Sequence, residues 1–200
     1  MLGGYAVFSA VGFGFRGWLQ RRRTGSSGFR GVSGPPGSAS WNGGMLLVVA
    51  FLLVLLAPAL ELAGVVRPIG WLATSGLRMF GAVLYAAGVL TTTWAQLAMG
   101  DSWRVGVDPS ERTKLVVHGP FGLVRNPIFT ATLAATAGLV LILPDLLALS
   151  GLVLAVVGIE IQVRAVEEPY LIRVHGNDYR TYAAATGRFL PGIGTIRSAG

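Results

Sequence analysis

Residues 127–163 read PIFTATLAATAGLVLILPDLLALSGLVLAVVGIEIQV. Asp145 is the one charged residue between Pro127 and Ile159, and it directly follows Pro144. A Pro-Asp pair between two long apolar runs is a turn signal, so the stretch is expected to fold as a hairpin of two helices. A helix apolar on every face needs an apolar surrounding. The reading is therefore an all-α chain whose hairpin lies in a membrane.

The rest of the chain agrees. It has 200 residues, 52% hydrophobic and 12% charged, against about 25% charged in soluble domains. Residues 41–60 carry no charge, and about 20 helical residues at ~1.5 Å each cross a ~30 Å hydrocarbon core. Pro58 is expected to kink or end that helix, with a short connection over 61–68. Residues 71–99 form a further span, with Arg78 near one end able to snorkel. At its other end Thr91, Thr92, Thr93 and Gln96 either bond back to the helix or a neighbour, or line a pocket. Residues 2–19 read as a short first span: positive charge follows the apolar run here, the reverse of a cleaved signal peptide. Residues 24–40, rich in Gly, Ser and Pro, read as a linker.

The expected architecture is a single membrane domain over 1–200. It is an integral membrane bundle of about five spans, near 2–19, 42–60, 71–99, 127–143 and 146–165, with a lid formed by the C-terminal tail. Arg21, Arg22, Arg23 and Arg30 follow the first span, Arg104, Arg112, Lys114 and Arg125 the third, and Arg164, Arg173, Arg180, Arg188 and Arg197 lie at the end. The opposite side offers little beyond Arg67. The positive-inside rule puts these loops and the C-terminus in the cytoplasm and the N-terminus outside, with a bacterial inner membrane as the expected location. The same topology explains the net charge of +7 without nucleic acid.

Three groups of polar residues converge on the cytoplasmic face: 118–129 before the fourth helix, 160–168 at the end of the fifth, and 179–191 in the tail. The hairpin makes the first two neighbours. Glu160, Arg164 and Glu167 or Glu168 are spaced to share one helix face. A purely structural reading pairs Arg125 and Arg164 with Glu167 and Glu168. The chain has no cysteine and two histidines, His118 and His175, without metal-site spacing. It also lacks a P-loop, a GxGxxG after a strand and an HExxH motif, so no metal is expected.

In order along residues 97–192 stand Gly119-Pro120-Phe121, Val124-Arg125-Asn126-Pro127-Ile128-Phe129, Glu167-Glu168, Gly176 with Tyr179 and Tyr182, and Arg188-Phe189-Leu190-Pro191. The series resembles the isoprenylcysteine carboxyl methyltransferase and phospholipid methyltransferase family of integral membrane enzymes, with its GPY, VRHP.Y, EE, G..Y..Y and RF.P segments. Asn126 stands where many members have histidine, and Phe129 where many have tyrosine. The resemblance implies methyl transfer from S-adenosylmethionine to a lipid or prenylated acceptor, a carboxylate or an amine, at the cytoplasmic face. No obligate protein partner is implied.

It also implies a cofactor region over 100–126 and 164–192, with Arg125, Glu168 and Arg188 as the catalytic set. The two arginines would hold a carboxylate, of the cofactor or of the acceptor, and Glu167 or Glu168 the ribose hydroxyls or the ammonium. The backbone at His118, Gly119, Pro120 and Phe121 would approach the cofactor. Asn126, beside Pro127, would hydrogen-bond the adenosine, and Tyr179, Tyr182 and Phe189 would pack over the adenine. The alternatives are a non-catalytic membrane protein that keeps the fold, and a nicotinamide-dependent membrane reductase.

Overall fold

The computed structural model describes residues 14, 16–24, 31–100 and 114–196. Most of the expected first span, and Asp101, Arg104, Asp108, Glu111 and Arg112 of the polar stretch, lie outside the described residues. The helices are α1 (Arg16–Thr24), α2 (Ala39–Leu62), α3 (Ser75–Met99), α4 (Pro127–Ile142), α5 (Leu146–Ile161), α6 (Glu168–His175) and α7 (Asn177–Ala185). Among the described residues there are isolated β-bridges but no strand, so the all-α expectation holds.

Local chemistry sets the helix starts. The Ser38 and Thr74 hydroxyls accept from the amides of Trp41 and Leu77, at 3.2 and 3.3 Å, and cap α2 and α3. Asp145, fully buried, accepts from Ala148 N at 2.8 Å and caps α5. Pro127 starts α4 as its first residue, where its missing N–H leaves no bond unmade. The hairpin expected from Pro144–Asp145 is present. Its turn is tied to the α2–α3 connection by the Pro68–Asp145 bridge and by Ile69 N donating to Pro144 O at 2.6 Å.

The bundle is two close helix pairs joined by that hairpin: α3 on α4, and α2 on α5. Glycines permit both. A Cβ on Gly88 would lie 2.6 Å from Ala135 N, and one on Gly138 2.5 Å from Tyr85 N. On the other pair, a Cβ on Gly151 would lie 2.9 Å from Ala50 O. Small residues let backbones approach in lipid, where there is no hydrophobic drive to hold helices together.

Three helices are long and apolar enough to cross a membrane: α2, α3 and the continuous helix Leu146–His175. The α4 helix is apolar but shorter, at 16 residues. Only 22%, 22% and 39% of the three apolar windows is buried inside the protein. The remainder is far more apolar surface than a soluble monomer exposes, and it suits a hydrocarbon surrounding.

Two boundaries differ from expectation. The α2 helix runs past Pro58 to Leu62, so this proline does not end it. One absent N–H removes one bond of the ladder, and the turn beyond it remains paired. The last span does not stop near residue 165 either. It continues through a π-helical turn, Gln162–Glu167, into α6, so Glu167 and Glu168 lie within a helix that reaches His175. Glu168 N donates to Val163 O, five residues back, and the widened turn makes room for Pro169, whose ring an α-helix would force against a carbonyl.

Candidate functional site

The tail returns to the start of α4. Gly176, at φ 56°, breaks the helix after His175, and α7 follows. Val124 and Gly187 then pair as parallel strands do. Arg125 N donates to Gly187 O at 2.8 Å and Asn126 N to Arg188 O at 3.1 Å. Asn126 Nδ2 also donates to Arg188 O, at 3.2 Å, and Thr130 Oγ1 to Phe189 O, at 3.0 Å.

Arg125 lies under this loop with its side chain 1% exposed. One terminal nitrogen donates to Ala183 O at 3.1 Å and to Thr186 O at 2.5 Å. The other donates to Glu168 Oε1 at 2.6 Å and to Gly194 O at 3.0 Å. Arg188 meets the same carboxylate from the loop, through Nε to Oε1 at 2.8 Å and a terminal nitrogen to Oε2 at 2.9 Å. The expected trio thus meets around one acid from α6. Removing one member of such a buried pair typically costs about 3–5 kcal/mol, because a charge is left uncompensated. Arg164 does not join them. It pairs with Glu160, one turn back on the exposed surface, as their spacing allowed.

Two tyrosines of α7 complete the wall. Tyr179 is 2% exposed, and its ring meets that of Tyr182 edge-on at 6.1 Å. Burial, then the Glu168 charge, pushes the Tyr179 hydroxyl up to about 12. Tyr182 donates to Phe121 O at 2.6 Å, which holds α7 against the 3₁₀ turn Gly119–Gly122. Burial pushes the Tyr182 hydroxyl upward too.

A cavity of about 780 Å³ opens beside this cluster and runs between the helices. That volume falls within the usual range for small-molecule sites, about 300–1,000 Å³. Of the expected residues, Phe121, Arg125, Asn126, Pro127, Glu167, Glu168, Tyr179 and Tyr182 line it. Arg188 touches it only through Glu168, and His118, Gly119, Pro120 and Phe189 are not on its wall. His118 is exposed. Among the described residues, a Cβ added at Gly119, whose φ is 59°, would meet Ala98 Cβ at 3.8 Å.

Other lining residues were not expected as a group: Tyr170, Gln162, Thr92 and Gln96, with apolar positions such as Leu47, Phe51, Leu139 and Ile159 deeper in. Thr93 does bond back, to Val89 O at 2.9 Å, while Thr92 and Gln96 take the pocket-lining alternative. Gln162 follows the largely apolar helix α5 directly, and a polar amide at that place is the sequence signal for it. Chemically, the cavity offers carboxylates, tyrosines and the Arg125 guanidinium, whose buried Nε has no hydrogen-bond partner among the described residues, at one end and hydrocarbon at the other. It can hold a polar molecule against an apolar one.

No curated protein sequence matches the chain. A family model described as phospholipid methyltransferase matches residues 77–178, just over half of it. The match spans α3 to the start of α7 and includes Arg125 and Glu168. Tyr179, Tyr182 and Arg188 lie beyond it.

Proposed function

The chain belongs to the phospholipid methyltransferase family, and from that premise we propose that it transfers a methyl group from S-adenosylmethionine to the polar head of a lipid or prenylated acceptor at the cytoplasmic face of a bacterial inner membrane. The observation that carries this reading is the cavity, which joins an acid- and tyrosine-lined end to an apolar interior between helices. The cofactor, when bound, supplies a methyl already activated on a sulfonium, so the protein has mainly to bind, orient and exclude water. The donor set suits it. Glu167 and Glu168 line the polar end and can accept from ribose hydroxyls or an ammonium, while Tyr179 and Tyr182 offer flat faces to an adenine.

We assign Arg125 a positioning role through its two terminal nitrogens, its Nε being the one donor left without a partner among the described residues. Both of its terminal nitrogens already donate, to Glu168 and to three carbonyls of the tail. It holds the tail over the cavity, with Arg188 as the second tie to Glu168. Asn126 is likewise engaged with Arg188 O and keeps the loop in register. A carboxylate acceptor is nucleophilic as it stands. An amine must give up a proton, and Glu167 on the cavity wall is the group that would receive it.

Calorimetry on the detergent-purified protein tests this reading. Micromolar binding of S-adenosylmethionine and S-adenosylhomocysteine, with none of NADPH, supports it. A folded sample that binds neither, or that binds NADPH instead, sinks it.

A further inference from the structure

Among the described residues, none of α1 lines the cavity. This helix reads RGWLQRRRT over Arg16–Thr24, with four arginines and no acid. A charged run is ordinarily a solvated face, but this one carries an aromatic ring among its cations. Trp18 is 49% exposed. The Arg22 guanidinium lies over its ring, 4.2 Å from the centroid, as a spacing of four residues on a helix allows. Arg21 and Arg22 are both exposed, while Gln20 is buried. At 3.6 residues per turn, Arg21, Trp18 and Arg22 share an arc of about 100°, and Gln20 lies on the opposite side. Among the described residues no carboxylate pairs with Arg21 or Arg22; the ion pairs are Arg125 and Arg188 with Glu168, and Arg164 with Glu160.

Position limits what can neutralise this face. Gly31, Val32 and Ser33 line the cavity next to the start of α2. The chain from Thr24 to Gly31 reaches at most about 25 Å, so α1 stays close to the end of the bundle where α2 begins. An indole among guanidiniums suits the level where hydrocarbon meets water: the ring takes the interface and the cations meet phosphates. Nucleic acid would also neutralise arginines, but this face is tethered beside helices that cross a membrane, where headgroups are the anions at hand.

We propose that Arg21, Arg22 and Trp18 form a docking face for anionic phospholipid headgroups at the membrane surface where α2 begins. A zwitterionic lipid carries the same phosphate but balances it with its own cation, so the two arginines favour lipids with net negative charge. A helix anchored there keeps residues 31–33 of the cavity wall beside the headgroup layer. The face lies outside the cavity and does not depend on what the cavity binds.

The experiment is native mass spectrometry of the full detergent-purified chain with dioleoylphosphatidylglycerol, dioleoylphosphatidylcholine or an oligouridine, at low and high ionic strength. The wild type should prefer the glycerol lipid to the choline lipid, and the preference should fade in high salt. Arg21→Gln with Arg22→Gln should weaken glycerol-lipid binding by about fivefold for each arginine, the scale of one cation at an anionic surface, and leave choline-lipid binding unchanged. Arg21→Lys with Arg22→Lys should keep the preference. Arg173→Gln with Arg180→Gln removes the same charge from exposed sites on α6 and α7 and should keep it too. Trp18→Ala should weaken binding of both lipids. A wild type without the preference overturns the docking face. So does a preference that survives Arg21→Gln with Arg22→Gln, or one that falls as far in Arg173→Gln with Arg180→Gln, since net charge alone would then be its source. Oligouridine binding without a lipid preference overturns it in favour of nucleic acid, and unchanged lipid binding in Trp18→Ala overturns the part given to the ring.

Discussion

Glu168 is the residue on which the tail depends. Its carboxylate takes three hydrogen bonds from two arginines, one of them almost wholly buried. Glu168→Gln keeps the shape and removes the charge, leaving Arg125 uncompensated. A loss of about 3–5 kcal/mol is expected, read as a lowered unfolding midpoint together with loss of S-adenosylmethionine binding. Tyr182→Phe is milder. It removes one hydrogen bond, to Phe121 O, and should cost about 1 kcal/mol in the same assay. Tyr179 gives a pH signature. Its hydroxyl titrates near 10 in an unfolded chain and at about 12 in the fold. Between those values the folded protein binds the extra proton, so its contribution is intact below pH ~10 and falls as pH rises toward ~12. Unfolding midpoints across that range should decline in the wild type and decline less in Tyr179→Phe. Equal slopes would show that this hydroxyl is not shielded.

At the scale of elements, the α3–α4 contact is the most exacting. Gly88 and Gly138 sit where a Cβ meets backbone atoms at 2.5–2.6 Å, and backbone cannot swing aside as a flexible side chain can. Gly88→Leu should therefore separate the helices and lower stability by more than about 2 kcal/mol. Gly70→Ala, where an added Cβ meets nothing within 4 Å, should be close to neutral by the same unfolding measurement. The π turn is the other exacting element. It lets one helix pass Pro169 and so keeps Glu168 on a rigid support facing Arg125.

For the whole molecule, orientation is the open property with the simplest assay. The chain has no cysteine, so single cysteines report without background. Cysteine replacing Gly70, in the α2–α3 connection, and cysteine replacing Gly192, in the tail loop, should lie on opposite sides of the membrane. In intact cells an impermeant thiol reagent should label the first and spare the second. The reverse pattern would place the cavity's polar end away from the cytosol.

Much of the fold was legible along the chain because hydrocarbon imposes a simple rule: an unbroken apolar run must be a helix, as every backbone group needs a partner. Residues 41–60 and the hairpin about Pro144–Asp145 obey it. Arg125, Glu168 and Arg188 could be nominated as a group because charge is rare in such a chain and stands out. Tertiary structure decided what those groups touch. The tail loop brings three of its own carbonyls to the terminal nitrogens of Arg125, contacts between positions 58 to 69 residues apart that chain order does not show. The π turn carries the acid pair inside a helix, which no periodicity signalled, since a single widened turn leaves no mark on an apolar pattern. Thr92 and Gln162 come to line one cavity only because helices distant in sequence enclose it. Hydrogen-bond satisfaction is a property of neighbours in space, and the chain order of this protein does not contain it.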